Sequence, residues 1–130
     1  MARSRHLKNA SNKQMLKTVF ALCLLATISS ALSAAELQGL IVDWKCAKQI
    51  LHDGREKTFQ DNQNCRLINN YNRPQYGLIT DDKKFYRLDD PGNHRILELL
   101  QNTPDKDNLK VVVTGEIDGD VVKVSNITML

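Results

Sequence analysis

Three side chains in the stretch WKCAKQILHDGREKTFQDNQNC, Trp44 to Cys65, are of types that exchange disulfides or bind soft metals: Cys46, His52 and Cys65. Three chemistries compete for them. The two thiols can join as a disulfide closing a loop of about twenty residues, worth roughly 3 kcal/mol in the chain-entropy account. They can act as redox thiols, although that role favours a close Cys-x-x-Cys pair at a helix start, which is absent. With His52 they can supply three ligands to a metal. The spacings are long and irregular for a zinc site, and Asp53-Gly54 directly after His52 reads as a surface turn.

The remaining catalytic inventory is short. His94 falls at the start of an expected helix and is read as solvent-facing. No G-x-S-x-G, H-E-x-x-H or phosphate-binding glycine loop occurs, and the expectation is no catalytic activity and no cofactor. The acidic pairs Asp81-Asp82, Asp89-Asp90, Asp105/Asp107 and Asp118/Asp120 fall where turns are wanted, and aspartate serves turns by bonding its own backbone. None has the length or terminal glutamate of an EF-hand loop. The aromatic residues offer a binding surface instead. Tyr76, Phe85 and Tyr86 lie on two adjacent expected strands beside Arg87, and Trp44 ends the first strand as a half-buried lid. Aromatics next to cations suit stacking on bases or sugars. Strand alternation sends Phe85 and Tyr86 to opposite faces, so one of them belongs to the core.

The chain opens with Arg3, Arg5, Lys8, Lys13 and Lys17 and no acid, then an apolar run, Val19 to Ile28, closing on small residues. A basic region, an apolar core and a small-residue site are the parts of a secretory signal peptide. Residues 1–35 are read as that peptide, cleaved after Ala35, with Ser33 and Ala34 as neighbouring alternatives. The apolar run is too short to span a bilayer comfortably, so no membrane span is expected after cleavage. The third cysteine, Cys23, leaves with the leader, and an even thiol count in an exported chain favours the Cys46–Cys65 disulfide. The leader also carries five of the 18 basic residues and none of the 15 acidic ones. The formal charge of +3 therefore becomes −2 for residues 36–130, which removes any charge argument for a polyanion partner. Nucleic acid is not expected as a partner, and the expected location is periplasmic or secreted.

Residues 36–130 make one small domain, which gains from a covalent staple. Five strands are predicted, at Leu37–Trp44, Tyr76–Asp81, Lys84–Asp89, Leu109–Ile117 and Val121–Ile127. In the fourth, Leu109, Val111, Val113 and Ile117 share one face. A helix of about ten residues lies between the third and fourth strands, capped by Asp89, Asp90 or Asn93, with Pro91 in its first turn and Pro104 after it. Residues 45–75 form a polar insert between the first two strands, pinned over one mouth of the fold. This order predicts a mostly β, five-stranded OB-fold-like Greek-key barrel of antiparallel strands. The alternative is another small α+β sheet with the helix on one face.

The motifs G-L-I-V-D-x-x-C (Gly39–Cys46), Y-G-L-I-T (Tyr76–Thr80), K-F-Y-R-L-D (Lys84–Asp89), Gly92-Asn93 and V-V-V-T-G-x-x-x-G-D-x-V-K-V (Val111–Val124) together resemble a family of small secreted bacterial OB-fold-like domains of unknown function. The resemblance covers most of residues 36–130 and implies an OB-like architecture without an activity. That pattern places a further cysteine after Cys65 with three residues between them, where this chain has Asn69. The expected role is a binding or interaction module of the cell envelope for an unidentified ligand or protein. The alternative is a metal-, haem- or thiol-handling periplasmic protein using Cys46, His52 and Cys65.

Overall fold

The computed structural model describes residues 34–69, 72 and 74–130. Most of the expected signal peptide thus lies outside the described residues. The elements are β1 (Ala35–Asp43), α1 (Ala47–Asp53), α2 (Arg55–Asp61), β2 (Tyr76–Thr80), β3 (Phe85–Leu88), α3 (Asp90–Gln101), β4 (Lys110–Asp118) and β5 (Val121–Met129), with four 3₁₀ turns between them. The mostly β expectation is corrected to a mixed α+β composition, since among the described residues three α-helices accompany the five strands. Among the described residues, no helix is long and apolar enough to cross a membrane.

Following the hydrogen bonds, the strand order is β1-β2-β3-β5-β4, and β4 is bonded back to β1, so the curled sheet returns on itself. Strand β1 serves two neighbours in succession. Its first part, Ala35 to Leu40, pairs with β4, and its second, Gly39 to Asp43, pairs with β2. Gly39 sits where the two overlap. A Cβ there would lie 2.1 Å from the Ile79 carbonyl oxygen, so only glycine lets the backbones approach this closely.

The expectation of an OB-fold-like Greek-key barrel built from antiparallel strands is corrected at β3 and β5. These two run parallel, and the sheet is mixed. The parallel contact is short, with only Arg87 opposite Val121 and Leu88 opposite Val122. Beyond it the strands diverge, and α3 fills the gap. Asp89 caps the helix by accepting from the Gly92 amide at 3.1 Å, and the same carboxylate oxygen accepts from the Val124 amide of β5 at 3.2 Å. Asn93, one turn in, accepts from the Tyr76 amide that starts β2 at 2.9 Å. Backbone donors that the ladder cannot reach are thus satisfied by the helix's first turn. The Gly92-Asn93 motif has its reason here. A Cβ at Gly92 would come within 2.6 Å of the Val124 side chain. At the far end, Lys106 Nζ donates to the Leu100 and Thr103 carbonyl oxygens at 2.6 and 3.0 Å, covering acceptors that the helix leaves open.

Strand alternation divides the apolar residues into two cores. Ile41, Tyr76, Leu78, Leu88, Val111, Val113, Val122 and Ile127 point inward and meet Ile96 and Leu100 of α3. Val42 points outward and packs with Cys46, Ala47, Ile50 and Cys65, with Leu40, Ile79, Phe85 and Phe59 around them. The insert makes this second core. It is not a polar loop over a mouth. Two short helices lie against the outer face of β1, β2 and β3. Each buried aliphatic side chain there contributes about 1.5–3 kcal/mol, which holds helices of seven residues that would not form alone.

Two further expectations are corrected. Strand β1 ends at Asp43, and Trp44 begins a 3₁₀ turn, with the Asp43 carboxylate accepting from the Lys45 amide at 2.9 Å. Ile117 is 39% exposed rather than inward-facing. Ile117 lies beyond a register shift between Thr114 and Gly115, in the part of β4 that, among the described residues, pairs with β5 alone.

Candidate functional site: the Trp44–Arg87 corner

Cys46 and Cys65 form a disulfide with Cα atoms 5.7 Å apart. It joins the turn before α1 to the turn after α2, and both residues are buried. Their sulfurs are therefore ligands to each other. His52 is remote from that role: its side chain is 87% exposed, and its Nδ1 lies 2.6 Å from Asp53 Oδ1. That contact holds the Asp53 carboxyl below the usual carboxylate value. Among the described residues no cluster of three His, Cys, Asp or Glu side chains is arranged to hold a metal ion. The metal-site alternative on Cys46, His52 and Cys65 is corrected accordingly.

The expected aromatic surface is broken up by the fold. Tyr76 is 1% exposed and belongs to the inner core, so it is not a surface residue. Tyr86 packs against the same core, while Phe85, on the other face of β3, lies beneath the insert. The outer face of β2 and β3, where stacking on a ligand was expected, is thus occupied by the chain's own insert helices.

Trp44 and Arg87 remain, and the structure brings them together. Trp44 leaves β1 at the edge of the insert, and Arg87 points outward from β3. The guanidinium carbon stands 4.7 Å from the centre of the indole ring, a cation–π contact. The indole Nε1 donates to Gln75 Oε1, and the Trp44 amide donates to the Gln75 carbonyl at 3.1 Å. The ring is therefore held from two sides. Beneath it lies a small pocket of about 170 Å³, lined by Trp44, Pro74, Gln75, Arg87, Asp90 and Asn93 among others. The pocket combines an aromatic face, an acid, a cation and an amide. Next to it, burial raises the Asp43 carboxyl above its usual value, opposed by the Lys45 amide and charge.

A larger groove of about 780 Å³ opens elsewhere, where the turn between α1 and α2 faces β1 and β4. Its residues include Leu40, Asp53, Arg55, Glu56, Lys57 and Lys110. None was expected as a site residue. The groove is assembled from three separate parts of the chain, and only the charged run Asp53-Gly54-Arg55-Glu56-Lys57 hints at it in the sequence.

The chain matches no family model, no curated protein and no solved structure.

Proposed function

We propose that this chain is an exported binding module of the cell envelope, akin to the small secreted bacterial domains its motifs resemble. Its ligand end is the Trp44–Arg87 corner. The observation that carries the reading is the fixed indole: an aromatic ring at the protein surface, tied by Gln75 and stacked under a guanidinium, at the rim of a polar pocket. Ordering a ring in advance lowers the entropy cost of binding. The disulfide supports an oxidising compartment, and the basic and apolar start of the chain supports export.

The test uses isolated envelope material. Wild-type protein is expected to sediment with it, and Arg87→Ala and Trp44→Ala to lose retention at least tenfold while keeping the wild-type fold by circular dichroism. Equal retention of both variants would remove the corner from the reading. No retention of the wild type would remove the binding role. Export is tested separately: the full chain made in a bacterial host should reach the envelope fraction without its leader, and its intact mass should rise by two daltons on reduction.

A further inference from the structure

We infer that the groove between the insert and the β1–β4 edge is a second binding site, for a small organic anion with an apolar body. Its volume of about 780 Å³ falls within the range of small-molecule pockets. The walls come from two substructures, the insert and the sheet, and each contributes a cation.

The charges point to the ligand's sign. Arg55, Lys57 and Lys110 all line the groove. Among the described residues none of the three takes part in an ion pair. Two carboxylates, Asp53 and Glu56, line the groove as well, and the Lys57 charge acts on Asp53, so the three cations leave a surplus of one positive charge. Arg55 is also held in place. Its Nη1 donates to Asn108 Oδ1 at 2.6 Å and to the Asp107 carbonyl oxygen at 3.3 Å. A guanidinium has five donor hydrogens, so the two contacts fix the group and leave other donors for a ligand.

The floor points to the ligand's body. Leu40 is half-buried: it packs against the second core and also lines the groove. It pairs across the strands with Lys110, which is exposed. A carboxylate or phosphate held by Lys110, Lys57 and Arg55 would therefore lay its carbon chain on Leu40.

The test is an NMR titration of the oxidised full chain with three probes: hexanoate, inorganic phosphate and hexylamine. The Leu40 methyl groups and the Lys110 amide are the reporters. Hexanoate is expected to shift both saturably, and at least tenfold more tightly than phosphate, since burying two methylene groups is worth about tenfold. Hexylamine is expected to leave both unmoved. Lys57→Gln and Lys110→Gln should each weaken hexanoate by threefold or more. Equal midpoints for hexanoate and phosphate would overturn the apolar floor. An equal response to hexylamine would overturn the anion. No saturable shift with any probe, or full affinity in the Lys57→Gln/Lys110→Gln protein, would overturn the site.

Discussion

The Thr80 hydroxyl helps to organise the β2–β3 turn. It accepts from the Lys84 amide at 3.1 Å and hydrogen-bonds to the Asp82 carboxylate. The Thr80 and Lys84 backbones also pair directly at 2.9 Å, leaving Asp81, Asp82 and Lys83 as a three-residue loop in which Lys83 takes a left-handed φ of 63°. That position falls on the residue after a tight turn, where side chains are tolerated at a cost. The Thr80 hydrogen bond holds the Asp82 carboxyl below its ordinary value of 3.8, with the Lys84 charge adding to it. A carboxyl lowered on folding contributes stability above its unfolded value and loses it as pH falls through the lower folded one. Thr80→Val should therefore move the Asp82 titration midpoint, read by carbon-detected NMR, upward toward 3.8, and should flatten the loss of stability on the acid side. An unchanged midpoint would show that the hydroxyl is not the cause.

Among the elements, the insert gains most from its staple. Removing both thiols as Cys46→Ala/Cys65→Ala should lower the unfolding free energy by about 3 kcal/mol, measured by urea denaturation. The loss should fall first on α1 and α2, whose amides should exchange faster while those of β4 and β5 stay protected. Elements with local signals were legible from the sequence. The Asp-Gly turn fixed the β4–β5 hairpin, Asp89 and Pro91 marked the start of α3, and the even cysteine count pointed to the disulfide. The helices of the insert were not legible, because Ala47, Ile50 and Phe59 are too sparse to show a period among polar neighbours. They become helical by packing on Val42, Ile79 and Phe85, which lie on other elements. The parallel run of β3 beside β5 was hidden for the same reason: thirty-odd residues separate the partners, and no local pattern records the pairing. Of the candidate site, Trp44 and Arg87 were legible as residue types but not as neighbours. Tyr76 was misplaced because alternation gives two faces without saying which is inward.

At the scale of the whole molecule, the insert is held to the sheet by its buried apolar face, by Arg55 on Asn108 and the Asp107 carbonyl, and by the Asp107 carboxylate. The Asp107 carboxylate accepts from Arg66 Nε and Nη2 at 2.9 and 2.7 Å, and from the Leu67 amide at 3.3 Å. Asp107 belongs to the turn that leads into β4, so this latch ties the end of the insert to the far half of the chain. Asp107→Ala should cost about 1 kcal/mol, since the ion pair is partly exposed, and should speed hydrogen exchange at the Leu67 amide more than at β1. Equal exchange in the variant would mean that the Asp107 carboxylate does not hold the insert. The double service of β1 carries a consequence for how the molecule is made. The strand is synthesised before its partners, yet half of its backbone groups wait for β2 and the other half for β4, more than seventy residues later. A nascent chain thus cannot complete the sheet until β4 and β5 have left the ribosome, and any earlier release leaves β1 as an open strand seeking a partner.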